Sequence, residues 1–259
     1  MGGNRVLLKD WIAAMERIAP PELALDFDNP GLLISPERKE IHKVLVALDC
    51  TAAVAREAAD WGAELVLTHH PLFFRGVKHI LDDDPETAAA WTLIRRGIGL
   101  YAAHTNLDAA QGGVNDALMA ALGAREVRPL PPENLGRIGR LETPMTLRGF
   151  ALLVERRLHA RADIAGNPET KIATVACVGG SGAEDMAHAK AAGADVFLTG
   201  ELKHHQGYYA QTLGIALIAA GHAETERVAL EPLIERLQRQ TNDVQYKLAL
   251  SDRGPFWRA

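Results

Sequence analysis

"KVLVALDCTAAVAREAADWGAELVLTHH", Lys43–His70, decides the fold. Lys43–Asp49 is an apolar run of strand length. Thr51 then stands where a helix N-cap belongs, and Gly62 where such a helix ends. A second apolar run, Glu64–Thr68, follows at once. Strand, helix and strand within 28 residues make one βαβ unit, which requires parallel strands. The second strand ends in two adjacent histidines, His69 and His70, followed by Pro71. Neighbours in an extended segment point to opposite sides. Such a pair is either one core and one exposed histidine or a device that reaches two cations.

The rhythm extends both ways. Leu8, Trp11, Ile12, Met15 and Ile18 recur at helical spacing until Pro20–Pro21, and "FDNPGLLI" is a turn leading into a short apolar run. After His70, Asp84 and Pro85 open a helix that Gly97 closes. A third strand, "IGLYAA", leads into "HTNLDAAQGG". Arg125–Pro144 holds four prolines and several charges and reads as a connection. Then "KIATVACV", "ADVFLT" and "IALIAA" repeat the strand pattern, separated by helices. A long helix is expected over "GHAETERVALEPLIERLQRQ", and "VQYKLALS" returns as a strand. "AELVLTHHP" parallels "ADVFLTGEL", and "IGLYAAHTNLD" parallels "IALIAAGHAETE". The expected class is therefore α/β with two similar lobes, a duplicated unit. The lobes are expected over residues 1–124 and 145–259 with a connection over 125–144, the terminal segments of the chain packing together.

Composition bounds the function. The chain has 259 residues, 47% hydrophobic and 24% charged, with a formal net charge of −5. That balance argues against a general nucleic-acid binder. Cys50 and Cys177 form no zinc or disulfide pattern and read as core residues of a cytoplasmic protein. There is no signal-peptide core and no run of about 18 apolar residues.

In open parallel sheets the site lies beyond the carboxyl ends of the strands. Asp49, His69, His70, His104, Asp108, Glu201, His222, Glu224 and Glu226 all fall there. His222 and Glu226 are four apart at a helix start and share a face. His69, His70, Asp108, His222 and Glu226 suit two cations. One is expected near His69 and His222, the other near His70 and Asp108, with Glu226 bridging. Nitrogen and oxygen donors favour two divalent cations of zinc, iron, manganese, cobalt or nickel. With about three protein ligands each, such cations keep open positions for water or substrate. Two further pieces carry weaker expectations. "VGGSG" can cradle an anion or form a plain turn. "TGELKHHQ" brings Glu201, Lys203, His204 and His205 to a strand end, for substrate contact or as a solvated helix start.

"FDNPGLLI", "LTHHPLFF", "YAAHTNLDAAQGGVNDALMAALG", "FLTGELKHH" and "GHAETER" together resemble the Nif-three-like family, or GTP cyclohydrolase 1 type 2 homologues, in its compact bacterial form. Pro30 departs from the family, where valine is commoner, but it changes a loop and no ligand. The resemblance implies two α/β lobes with a dinuclear metal site in the cleft between them. Its ligand pattern falls on His69, His70, Asp108, His222 and Glu226, with Glu226 as the bridge. It also implies a toroidal homohexamer. The reaction expected is hydrolysis of a small nucleotide-like substrate, with His104 or His205 moving protons. The competing expectation is a non-catalytic hexameric scaffold, metallochaperone or regulatory partner.

Overall fold

The computed structural model describes residues 5–256 and contains two mixed α/β sheets in two compact units. The first unit takes the chain up to Ala110 and again from Leu230; the second is Gln111–Ala229.

The first unit contains α1 (Leu8–Ile18), β1 (Gly31–Ile34), β2 (Lys43–Ala47), α2 (Ala52–Trp61) and β3 (Leu65–Thr68). It continues with α3 (Ala88–Arg95), β4 (Gly99–Ala102) and α4 (Thr105–Ala109). Its sheet has the order β1-β4-β3-β2 and is completed by β11 (Gln245–Leu248). β2, β3, β4 and β11 are mutually parallel, and β1 runs antiparallel on the edge. Both faces are covered, as parallel sheets require. Leu45, Ala47, Val66 and Leu100 pack on Val54, Ala55 and Ala58 of α2 and on Ala89 and Leu93 of α3. On the opposite face Tyr101 meets Trp11 edge-on, with ring centroids 5.4 Å apart. Trp11 Nε1 donates to Tyr246 Oη at 2.9 Å, so α1 is tied to β11.

In the second unit the sheet order is β5-β6-β8-β9-β10-β7. The strands are β5 (Ala124–Pro129), β6 (Arg137–Thr146), β7 (Asp163–Ala165), β8 (Lys171–Cys177), β9 (Val196–Thr199) and β10 (Ala216–Ala219). β8, β9 and β10 are parallel, with β7 antiparallel beside β10. That is the plan of β2, β3, β4 and β1 in the first sheet. Side chains alternate across it. Val196, Leu198 and Ile218 face Leu118 and Met119 of α5 (Val114–Ala121) and Phe150 and Val154 of α6 (Leu147–Leu158). Phe197 and Leu217 face Met186 and Ala189 of α7 (Met186–Ala191) and Ala210 of α8 (His204–Leu213).

Several elements differ from the sequence expectation. The division between units falls at Ala110–Gln111 and Ala229–Leu230 rather than within Arg125–Pro144. Most of that stretch is the antiparallel pair β5–β6, with the cis Pro131–Pro132 peptide in its turn. The long C-terminal helix is two helices, α9 (His222–Arg227) and α10 (Leu230–Gln238). Pro232 explains the break. It has no N–H for the carbonyl of Val228, and its ring crowds that carbonyl. The helix expected from Pro85 starts at Ala88, because the amides of Thr87 and Ala88 first close a turn on the Asp84 carbonyl. No helix among the described residues is long and apolar enough to cross a membrane. Cys50 and Cys177 are buried, which pushes both thiols up to about 12.

Glu57 on α2 anchors the end of the first unit. Its carboxylate accepts from Lys247 at 2.9 Å, from the Ser251 hydroxyl and from the Leu250 and Ser251 amides. Burial alone would raise its pKa, but these donors together lower it from 4.5 to about 2. A carboxyl depressed in the fold stabilises above its unfolded value, and that contribution is lost as pH falls through the folded value. Glu57→Gln should therefore lower the urea midpoint at pH 7. The gap to wild type should close between pH 4.5 and about 2. A gap that stays constant across that range in equilibrium denaturation would refute the assignment.

Candidate metal centre

The first unit gathers its imidazoles at the ends of β3 and β4. The ladder continues past Thr68: His69 N and His70 N donate to the carbonyls of Ala47 and Leu48, and Ala103 N donates to Thr68 O. The Thr68 hydroxyl closes on the His70 carbonyl at 2.8 Å. The two histidines thus sit on a fixed backbone. Their rings are 5.0 Å apart and tilted 48° to each other. His104, where β4 gives way to α4, joins them with centroids 5.1 Å from His69 and 5.6 Å from His70. One ring nitrogen from each of the three lies within 4.8 Å of the other two, a group that can hold a metal ion.

One nitrogen of each ring is committed. His69 Nδ1 lies 2.8 Å from the Ala103 carbonyl, His70 Nδ1 2.9 Å from Asp49 Oδ1, and His104 Nδ1 2.8 Å from Asp28 Oδ1. A carbonyl oxygen or an ionised carboxylate only accepts, so each Nδ1 carries the hydrogen. In the neutral rings the lone pair is then on Nε2. Holding one nitrogen by an oxygen so that the other can ligate is the arrangement of metal-bound histidines. Asp108 Oδ1 is 3.6 Å from His69 Nε2. The Ala103 carbonyl grips one side of the His69 ring and turns its Nε2 toward the carboxylate on α4.

In the second unit His222 begins α9. Its Nε2 is 3.1 Å from Glu226 Oε1, one turn on, and its Nδ1 is 3.3 Å from Glu201 Oε1. Glu226 is buried. The "VGGSG" loop is what lets it be there. Gly180 has φ +61°, and a Cβ on it would run into Glu226 Oε1. The loop is no anion cradle: Gly179 N donates to Asn115 Oδ1, Gly180 N to Thr225 Oγ1 and Gly182 N to Thr199 Oγ1. His205 lies exposed in the first turn of α8, as does His204, whose ring meets Tyr208 edge-on.

Asp49 and Glu201 stand among the polar residues that the sequence places at the strand ends, whereas Asp28 was not singled out as a site residue. Asp49 ends a strand, and Glu201 stands beside the histidines of the motif "TGELKHHQ". Asp28 gave no signal beyond its place in the motif "FDNPGLLI".

An α/β protein of two sheets, one bearing a cluster of three oxygen-tethered imidazoles, is the class these features define. The profile of Duf34/NIF3 (NGG1p interacting factor 3) matches residues 6–254. A "GTP cyclohydrolase 1 type 2 homolog" of Clostridium perfringens is 36% identical over 96% of this chain and 98% of its own length. One of the same name from Streptomyces coelicolor is 38% identical over 85% of this chain and 81% of its own. The crystal structure of a Bacillus cereus protein related to NIF3 superposes with a TM-score of 0.93 at 25% identity, covering 99% of this chain and 100% of the other. The chain belongs to the Duf34/NIF3 family.

Gly180→Ala tests the loop's role. A left-handed alanine costs about 1–2 kcal/mol, and its methyl collides with the Glu226 carboxylate. The variant should fold with a lowered melting temperature and bind divalent cations more weakly by calorimetry. Wild-type affinity would show that the glycine serves only the turn.

Proposed function

We propose that this protein is a metal-dependent hydrolase of a small nucleotide-like substrate. In this reading two divalent cations are held by His69, His70, Asp108, His222 and Glu226, with Glu226 as the bridging carboxylate. The observation that carries it is the set of three imidazoles in the first unit, each tethered at Nδ1 and with ring nitrogens within 4.8 Å of one another. The donor set fits the proposed group. Imidazole nitrogens joined by carboxylates suit zinc, iron, manganese, cobalt or nickel. His222 and Glu226, 3.1 Å apart, supply a second such pair.

Such cations, when bound, make water more acidic and polarise a substrate oxygen. The chain's own residues supply the rest. Ala103 and Asp49 orient the His69 and His70 rings. His104 accepts a proton at Nε2. His205 is the proton carrier proposed from the second unit. The matching strand plans of the two sheets support descent from a duplicated unit. The cyclohydrolase name belongs to the relatives; what it lends this chain is the nucleotide-like substrate class. The family resemblance also supports a ring of six copies, which sedimentation would report as six times the 28.0 kDa chain.

Elemental analysis of native-source protein, coupled to a metabolite-depletion screen, tests the reading against Glu226→Ala. Wild type should carry two cations per chain and deplete a nucleotide-like metabolite. The variant should lose at least one cation and the turnover. Two cations retained in full by Glu226→Ala would overturn the ligand set. Metal bound without turnover across nucleotide, phosphoester and amide panels would favour the scaffold instead.

A further inference from the structure

Asp28 lies in the turn that precedes β1, where an aspartate is ordinarily a solvated capping residue. Here its side chain is wholly buried. Four donors meet its two oxygens. Oδ1 takes the Asn29 amide at 2.7 Å and faces His104 Nδ1 at 2.8 Å. Oδ2 takes the Thr105 amide at 2.9 Å and the Thr105 hydroxyl. Burial alone would raise the carboxyl, but the bonds to His104 and Thr105 hold it well below the ordinary carboxylate range. Thr105 Oγ1 in turn accepts the Leu25 amide at 3.0 Å, so the loop before β1 is fastened to the start of α4. On its other sides His104 is equally constrained. Its amide donates to Asn106 Oδ1 at 2.9 Å, and its ring meets Phe74, His69 and His70.

We propose that Asp28 is a positioning residue for the metal centre: by accepting from Nδ1 it fixes His104 in the Nδ1–H tautomer and leaves Nε2 as the acceptor of a ring packed against His69 and His70. This deepens the hydrolase reading and rests on it for its purpose, though not for its geometry. A buried ionised carboxylate whose remaining acceptor sites are filled leaves the ring one orientation and one tautomer. Replacing the aspartate by alanine removes the acceptor at Nδ1, and nothing then selects the Nδ1–H tautomer.

Solid-state NMR of full-length, metal-free protein carrying 15N-histidine reads this directly. Wild-type His104 should show a protonated Nδ1 and a bare Nε2. Asp28→Ala should show both tautomers at His104 and weaken Co²⁺ binding severalfold, because the loosened ring packs on the proposed ligands His69 and His70. Thr105→Val removes one donor to Asp28 but keeps the carboxylate, so it should retain the wild-type tautomer. A wild-type His104 with its hydrogen on Nε2 overturns the proposal without any variant. So does an Asp28→Ala protein that keeps the wild-type pattern. Mixed tautomers with unchanged Co²⁺ affinity would sever Asp28 from the metal centre. Because the tautomer is read without metal or substrate, a silent turnover assay would count against the hydrolase reading alone.

Discussion

The bond between His69 Nδ1 and the Ala103 carbonyl is the constraint on which the first unit's centre depends. It ties the side chain that ends one parallel strand to the backbone that ends the next. It therefore forms only if β3 and β4 keep their lateral register, Leu67 opposite Tyr101 and Thr68 opposite Ala102. That register is held by burial on both faces of the sheet. A slip by one residue would turn every side chain to the other face and break the packing against both covering layers. Sheet packing and ring orientation are thus one problem, and ordinary core residues such as Val66 and Leu100 help aim an imidazole they do not touch.

The second unit places its carboxylate differently. Glu226 is buried because the loop after β8 yields space, and that space exists because Gly180 has no side chain and can take a left-handed backbone. Thr225 fastens the same loop by accepting the Gly180 amide, while its own hydroxyl donates back within α9. One unit aims its donors through strand register, and the other through a close approach of loop and helix.

Much of this was legible in the chain. Lys43–His70 shows its strands and helix because Thr51 and Gly62 punctuate it and the apolar runs have strand length. Thr51 does cap α2, and Gly62 does adopt the left-handed conformation. His69, His70 and His104 could be placed together because strand ends of a parallel sheet share an edge. Other features were not legible. β5 and β6 are rich in charge and proline and lie toward the edge of their sheet, so little of their sequence alternates cleanly. The α9–α10 break hides behind continuous helical periodicity, and only Pro232 betrays it. Asp28 was invisible as a site residue because its role comes from Thr105 and His104, more than seventy positions away.

That break is also where the chain leaves its second unit. Residues 111–229 are contiguous, whereas the first unit is interrupted and is completed only by α10 and β11. β11 pairs with β2, so Gln245 must find Lys43 across some two hundred intervening residues. A ribosome therefore releases the middle of the molecule as a unit able to finish first, while the earlier-made strands wait with one sheet edge open. Until Tyr246 reaches Trp11 and Ser251 reaches Glu57, the nascent first unit is the one that needs shielding from aggregation.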